Sequence, residues 1–151
     1  MSRARARPFT DRIVIHCSAT PPTLDIGRVE IDQWHKARGW AGIGYHFIVR
    51  RDGTLEYGRE VTKVGAHARG YNKRSIGICL IGGVRCEGEK LVPEASFNAM
   101  QWSTLKGLVV ALKLVWPKAR VIGHNEVSRK ACPSFDVQEW FKSAVARPPA
   151  S

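Results

Sequence analysis

Arg12-Ile-Val-Ile-His-Cys17 is a short, β-branched run, and the reading of the chain starts from it. β-branched residues pack well on a pleated surface, so the run predicts a strand. Side chains alternate across a strand, which places Ile13, Ile15 and Cys17 on one face and Val14 and His16 on the other. Working outward, residues 28–38 predict a helix with Ile31, Trp34 and His35 on one face and Gly39 as its stop. Residues 44–51 and 54–57 flank Asp52-Gly53, a turn pair that favours a hairpin. Residues 75–81 predict a buried strand ending in Gly82-Gly83. The longest helix is expected over 93–116, where Phe97, Gln101, Leu105, Leu108, Leu112 and Val115 recur at helical steps. A last short strand is expected over 120–123. Asp136 caps a final helix with Glu139 three positions on and Val137, Trp140, Phe141 and Ala144 facing inward. Strands mixed with helices, and one hairpin, indicate an α/β fold with a central mixed sheet flanked by helices.

A length of 151 residues suits a single domain, large enough to build a core without disulfide staples. Apolar residues at 44% and charged residues at 25% exclude general disorder. The most apolar stretch, 105–115, is interrupted by Lys106 and Lys113, so no membrane-spanning helix is expected. The basic start, Met1-Ser-Arg-Ala-Arg-Ala-Arg-Pro8, has no apolar segment behind it, so no secretory signal is read. Residues 1–10 are expected to be a flexible basic tail, 11–146 the folded domain, and 147–151 a second flexible tail. The cysteines, Cys17, Cys79, Cys86 and Cys132, are then expected as reduced thiols. Lys and Arg number 24 against 13 Asp and Glu, and the net charge of +11 favours an anionic partner. Nucleic acid ranks lowest among such partners, because no groove-reading motif accompanies the charge.

Candidate chemistry centres on His124 and Cys132. An imidazole and a thiolate are preferred Zn²⁺ ligands, but this spacing is not that of a zinc finger. Spacing alone favours an ordinary surface histidine and a buried thiol. A third ligand would come from His16, His35, His46, His67 or another cysteine. His16 and Cys17 point to opposite faces, so both cannot reach one metal without a bulge. His16 lies near the strand's end, where a site would open, and Cys17 reads as a small core residue. His35 shares the face of Ile31 and reads as a packed or satisfied core histidine. Pattern places neither His46 nor His67. On the strand at 44–51, Tyr45 is expected to share a face with Phe47 and Val49.

Several segments, in order, resemble one family. They are Ile15-His-Cys-Ser-Ala-Thr, Gln33-Trp-His-Lys, Val64-Gly-Ala-His-Ala-Arg-Gly-Tyr-Asn, Ser75-Ile-Gly-Ile-Cys-Leu-Ile-Gly-Gly, Gly123-His, and Lys130-Ala-Cys-Pro-Ser-Phe-Asp. Together they are similar to the N-acetylmuramoyl-L-alanine amidase type 2 family, which includes the peptidoglycan recognition proteins. The likeness runs from about Ile13 to Trp140. It implies that His16, His124 and Cys132 hold Zn²⁺, leaving a fourth position open as a hydrolytic site requires. It implies catalytic roles for Tyr45 and Lys130, and a groove wall near His67 and Asn72 that touches the muropeptide substrate. Asn125 departs from a phage relative, which has a second histidine there; the Lys-Ala-Cys-Pro frame keeps the ligand alignment.

The activity implied is hydrolysis of the amide between the muramoyl lactyl group and L-alanine in peptidoglycan, as in a phage or prophage endolysin. Such an enzyme waits in the host cytoplasm and acts on the wall after release. It would act as a monomer, its charge holding it on anionic envelope polymers. Glu126 is a rival to Tyr45 as proton carrier by residue type, though a supporting role suits it better. The resemblance also allows a second role, inhibition of a phage RNA polymerase. The alternative is a non-catalytic peptidoglycan-binding module, since such members lack a full zinc set; Cys132 is the residue that discriminates.

Overall fold

The structure, a computed structural model, describes residues 5–146. β1 (Arg12–Cys17) lies inside a five-stranded sheet. It pairs in parallel with β4 (Ser75–Leu80) on one side and β7 (Arg120–Gly123) on the other. β2 (Phe47–Val49) continues the sheet parallel to β4, and β3 (Leu55–Tyr57) closes it antiparallel to β2. The order β3-β2-β4-β1-β7 is therefore mixed. The Asp52-Gly53 hairpin forms, with Gly53 at φ 85°. Its strands, Phe47–Val49 and Leu55–Tyr57, are shorter than expected.

The faces of β1 separate as the alternation requires. Ile13, Ile15 and Cys17 join Phe47, Val49, Ile76, Ile78 and Leu80 in the main core. Val14 lies on the opposite side with Ala68 and Ile122. Against the main core pack α2 (Ala99–Val115) and α3 (Val137–Trp140), the latter running on as a π-helical turn over Phe141–Val145. α1 (Arg28–Ala37) covers the other face through Ile31 and His35.

Several expectations change. The long helix starts at Ala99, not at 93. Asn98 accepts from the Gln101 N–H at 3.0 Å, and Gln101 Oε1 accepts from the Asn98 N–H at 3.3 Å, a reciprocal cap that fixes the start. Residues before it form a hairpin the pattern did not reveal, β5 (Val84–Glu87) with β6 (Lys90–Pro93), turning at Gly88 with φ 63°. On α2 the buried stripe runs through Leu108, Val109 and Leu112, and Val115 is exposed. Its polar member, Gln101, is fully buried and satisfied: its amide donates to the Ile81 carbonyl at 2.8 Å and its oxygen accepts from Arg51 at 2.8 Å. Second, Trp34 is exposed although it was expected on the inward face of α1. Third, Tyr45 packs with the cluster of Ile31, Ile48 and Cys79, not with Phe47 and Val49. Strict alternation fails for Tyr45 because it precedes β2.

The described part of the N-terminal segment is tied down. Ala6 bridges Lys63, Val64 donates to the Arg5 carbonyl, and the Arg7 guanidinium donates to the carbonyls of Val61 and Lys63. Residues 5–7 thus behave as an edge of the domain, against the expectation of a flexible tail up to residue 10. The C-terminal tail at 147–151 lies outside the described residues. No helix among the described residues is long and apolar enough to cross a membrane.

Candidate metal centre

Parallel strands carry the site at their carboxyl ends, where open α/β sheets commonly bind ligands. Ile15 pairs with Gly123, so His16 at the end of β1 and His124 just beyond β7 emerge side by side. Their rings lie 4.4 Å apart. Cys132 arrives on the loop that leads to α3. Its Sγ is 3.8 Å from His16 Nδ1 and accepts from the backbone N–H of Cys17 at 3.2 Å. The ligand atoms of His16, His124 and Cys132 all lie within 4.8 Å of one another.

This donor set suits Zn²⁺. Tetrahedral zinc at ordinary bond lengths puts its N and S ligands about 3.6 Å apart, close to the spacing found here. Burial, then the neighbouring His67, His124 and Lys130, hold His16 well below the usual imidazole range. Burial and then Lys130 lower His124 as well. Both are therefore neutral, the form that ligates. The Cys132 thiol is pushed up, first by its side-chain interaction with the Cys17 thiol and then by burial, while the Cys17 backbone N–H works the other way. It would release its proton on taking a metal.

The three residues open into a pocket of about 250 Å³ that Tyr45, His67 and Lys130 also line. The Tyr45 ring lies 5.1 Å from that of His16, and burial raises its phenol well above the usual range, so it is a protonated donor. His67 Nδ1 is 2.8 Å from His16 Nε2, and His67 Nε2 is 3.2 Å from Ser75 Oγ. Asn72 lies off the pocket; its side-chain oxygen accepts from the backbone N–H of His67 and of Ala68, each at 2.9 Å. Glu126 is likewise turned away. It accepts from the Gly123 N–H at 2.6 Å and from Gln138. Trp34, Arg38 and Trp40 form an outer wall that pattern reading missed. The available signal was the four-residue step from Trp34 to Arg38, which places both on one side of α1.

His35 and His46 belong to the frame. His35 Nδ1 accepts from the Gly44 N–H at 2.8 Å, and His46 Nδ1 accepts from the Gly77 N–H at 2.9 Å. Protonation would set donor against donor at both places. Burial lowers each to about 4. An imidazole depressed in the fold binds its proton more readily in the unfolded chain, so stability is full above the unfolded value near 6.5 and falls as pH drops towards 4. Denaturant titrations at stepped pH should show a loss on the order of 3 kcal/mol from His46 alone across that window. A flat profile between pH 6.5 and 4 would mean that these imidazoles are not held neutral.

The sequence pattern of the N-acetylmuramoyl-L-alanine amidase family matches residues 5–135. The endolysin of Enterobacteria phage K11 is 49% identical over 137 residues, covering 91% of this chain and 89% of the relative. The endolysin of Escherichia phage T7 is 47% identical over 138 residues, covering 91% and 89%. Among solved structures, the endolysin N-acetylmuramoyl-L-alanine amidase LysCS from Clostridium intestinale URNW superposes with a TM-score of 0.78 at 30% identity, covering 94% of this chain and 88% of that one. By sequence match and by fold, the chain belongs to the N-acetylmuramoyl-L-alanine amidase family.

Proposed function

We propose that the protein is a zinc-dependent N-acetylmuramoyl-L-alanine amidase of the endolysin kind, hydrolysing the lactyl–L-alanine amide of peptidoglycan. The observation that carries this reading is the convergence of His16, His124 and Cys132 on a pocket that Tyr45 and Lys130 also line. A module that only binds muropeptide needs no thiol beside two neutral imidazoles. In this reading the cell wall is the place of action, reached from the host cytoplasm.

When bound, Zn²⁺ supplies Lewis acidity and lowers the pKa of a water ligand to about 7. The chain's own groups do the rest. The neutral imidazoles of His16 and His124 and a deprotonated Cys132 would hold the ion beside the pocket. The Tyr45 hydroxyl donates to the lactyl carbonyl oxygen as negative charge builds on it, and the Lys130 ammonium opposes the same charge. The carbon–nitrogen bond then breaks: the lactyl carbon keeps the oxygen from water, and the L-alanine nitrogen takes a proton. Arg38, with its guanidinium over the Trp40 ring, adds a cation to the outer wall where an acidic stem peptide would lie. The +11 charge adds attraction to anionic envelope polymers.

Mass spectrometry of digested, purified peptidoglycan tests the bond. The expected products are intact stem peptides with a free L-alanine amine, and glycan strands with free lactyl carboxylates. Cleavage at glycosidic bonds, or tight binding with no cleavage, would end this reading.

A further inference from the structure

The environment of His67 carries more than a place on the pocket wall. His16 turns Nδ1 towards Cys132 and Nε2 towards His67 Nδ1, at 3.8 and 2.8 Å. If Nδ1 is the ligand atom, the ring's single proton lies on Nε2 and must be donated outward. His67 Nδ1 is then the acceptor and carries no proton. The proton of His67 therefore sits on Nε2, facing the Ser75 hydroxyl at 3.2 Å. A neutral imidazole has one donor and one acceptor nitrogen, and this chain uses each nitrogen once.

The fold builds a fixed seat for the His67 ring. A Cβ at Gly77 on β4 would lie 2.6 Å from His67 Cγ, and one at Gly65 would lie 2.7 Å from His67 Cδ2. Only backbone without side chains lets the ring lie there. Asn72 pins the His67 backbone from the other side through its two accepted N–H bonds. Ser75, which holds Nε2, is fully buried on β4. Sheet, loop and hydroxyl together aim one acceptor at one nitrogen of His16.

We infer that His67 is a positioning residue for the metal centre: it fixes the tautomer and ring angle of His16 so that Nδ1 presents its lone pair to the ion. Asn72 and Ser75 support it. This rests on the zinc reading above. It assigns His67 to the metal through His16, and the muropeptide need not touch it. Partners of this kind are typically worth about 10- to 100-fold in metal affinity.

The experiment is a zinc affinity measurement by competition with a chromophoric chelator, on the folded full chain, for wild type, His67→Ala, His67→Asn and His67→Gln. His67→Ala should lose about 10- to 100-fold in affinity. His67→Asn should recover most of it, because its carboxamide oxygen reaches the place of Nδ1. His67→Gln should not, because its carboxamide reaches the place of Nε2. Visible spectra of the Co²⁺-substituted proteins should show an altered ligand field for Ala and Gln, and a near-native one for Asn. Wild-type zinc affinity in His67→Ala, with only KM raised, would overturn the inference and return His67 to substrate contact. If His67→Ala does not fold, equal affinities for Asn and Gln overturn it, and recovery by Asn alone supports it. A wild-type chain that takes up no zinc overturns the metal reading and this inference together, whereas a zinc-binding wild type indistinguishable from His67→Ala overturns this one only.

Discussion

His16→Ala should lose zinc and bring release of stem peptides to background, whereas Cys17→Ala should keep both. The two residues are neighbours on β1, so sequence distance gives no reason for different outcomes. The strand does: His16 faces the pocket and Cys17 faces the main core. The Cys17 side chain packs there against the glycine turn, where a Cβ at Gly83 would collide with it. Cys17 meets the site through its thiol, which interacts with that of Cys132, and through its backbone N–H, which donates to Cys132 Sγ at 3.2 Å. Alanine retains that N–H. The cost of Cys17→Ala is therefore packing, on the order of 1 kcal/mol. Extensive chelation of the unmodified protein should reproduce the His16→Ala phenotype, and added Zn²⁺ should reverse it. Zinc content by atomic emission, set beside turnover for both variants, checks the argument. A folded Cys17→Ala protein without zinc, or a metal-free protein with full activity, would defeat it.

Much of this arrangement was legible in the sequence because β-alternation is local. Arg12–Cys17 and Ser75–Leu80 have both neighbours paired, so their side chains keep strict register, and the split between His16 and Cys17 could be read directly. The same logic misplaces Tyr45, which lies before the regular strand β2 and packs on the opposite side from Phe47 and Val49. The helix start at 93 failed for a related reason: apolar periodicity tolerates extra residues, while the cap that sets the boundary is one polar pair, Asn98 with Gln101. That pair is visible in the sequence, but Gln101 also fits the apolar stripe as its polar member. Cys132 could not be brought to His16 by spacing, because their contact crosses most of the chain through the sheet order. The resemblance supplied that pairing, and the geometry now gives its cause. The outer wall of Trp34, Arg38 and Trp40 stayed hidden because an exposed tryptophan and a buried one look alike in a helical pattern.

Tyr45→Phe and Lys130→Ala should each keep zinc and lose about 100- to 1,000-fold in kcat, the usual cost of one transition-state donor. Tyr45→Phe removes one oxygen and leaves the ring, which packs against His16 at 5.1 Å and His35 at 5.4 Å, so the pocket wall should survive. Because burial raises the phenol well above its usual range, wild-type Tyr45 is a donor at every working pH. Its loss should lower the rate at neutral pH and leave substrate affinity nearly unchanged. Lys130 sits close enough to His16 and His124 for its charge to lower both. The same charge repels a bound cation, so Lys130→Ala should hold zinc as tightly as wild type or more tightly. A fall in turnover in that variant then has no metal loss to explain it, and the missing cation at the developing oxyanion is left as the cause. Zinc affinity and kcat measured on the same preparations separate the possibilities. Near-wild-type kcat in both variants would make Tyr45 and Lys130 parts of the wall, and reduced zinc in Lys130→Ala would show that its ammonium holds the Cys132 loop in place.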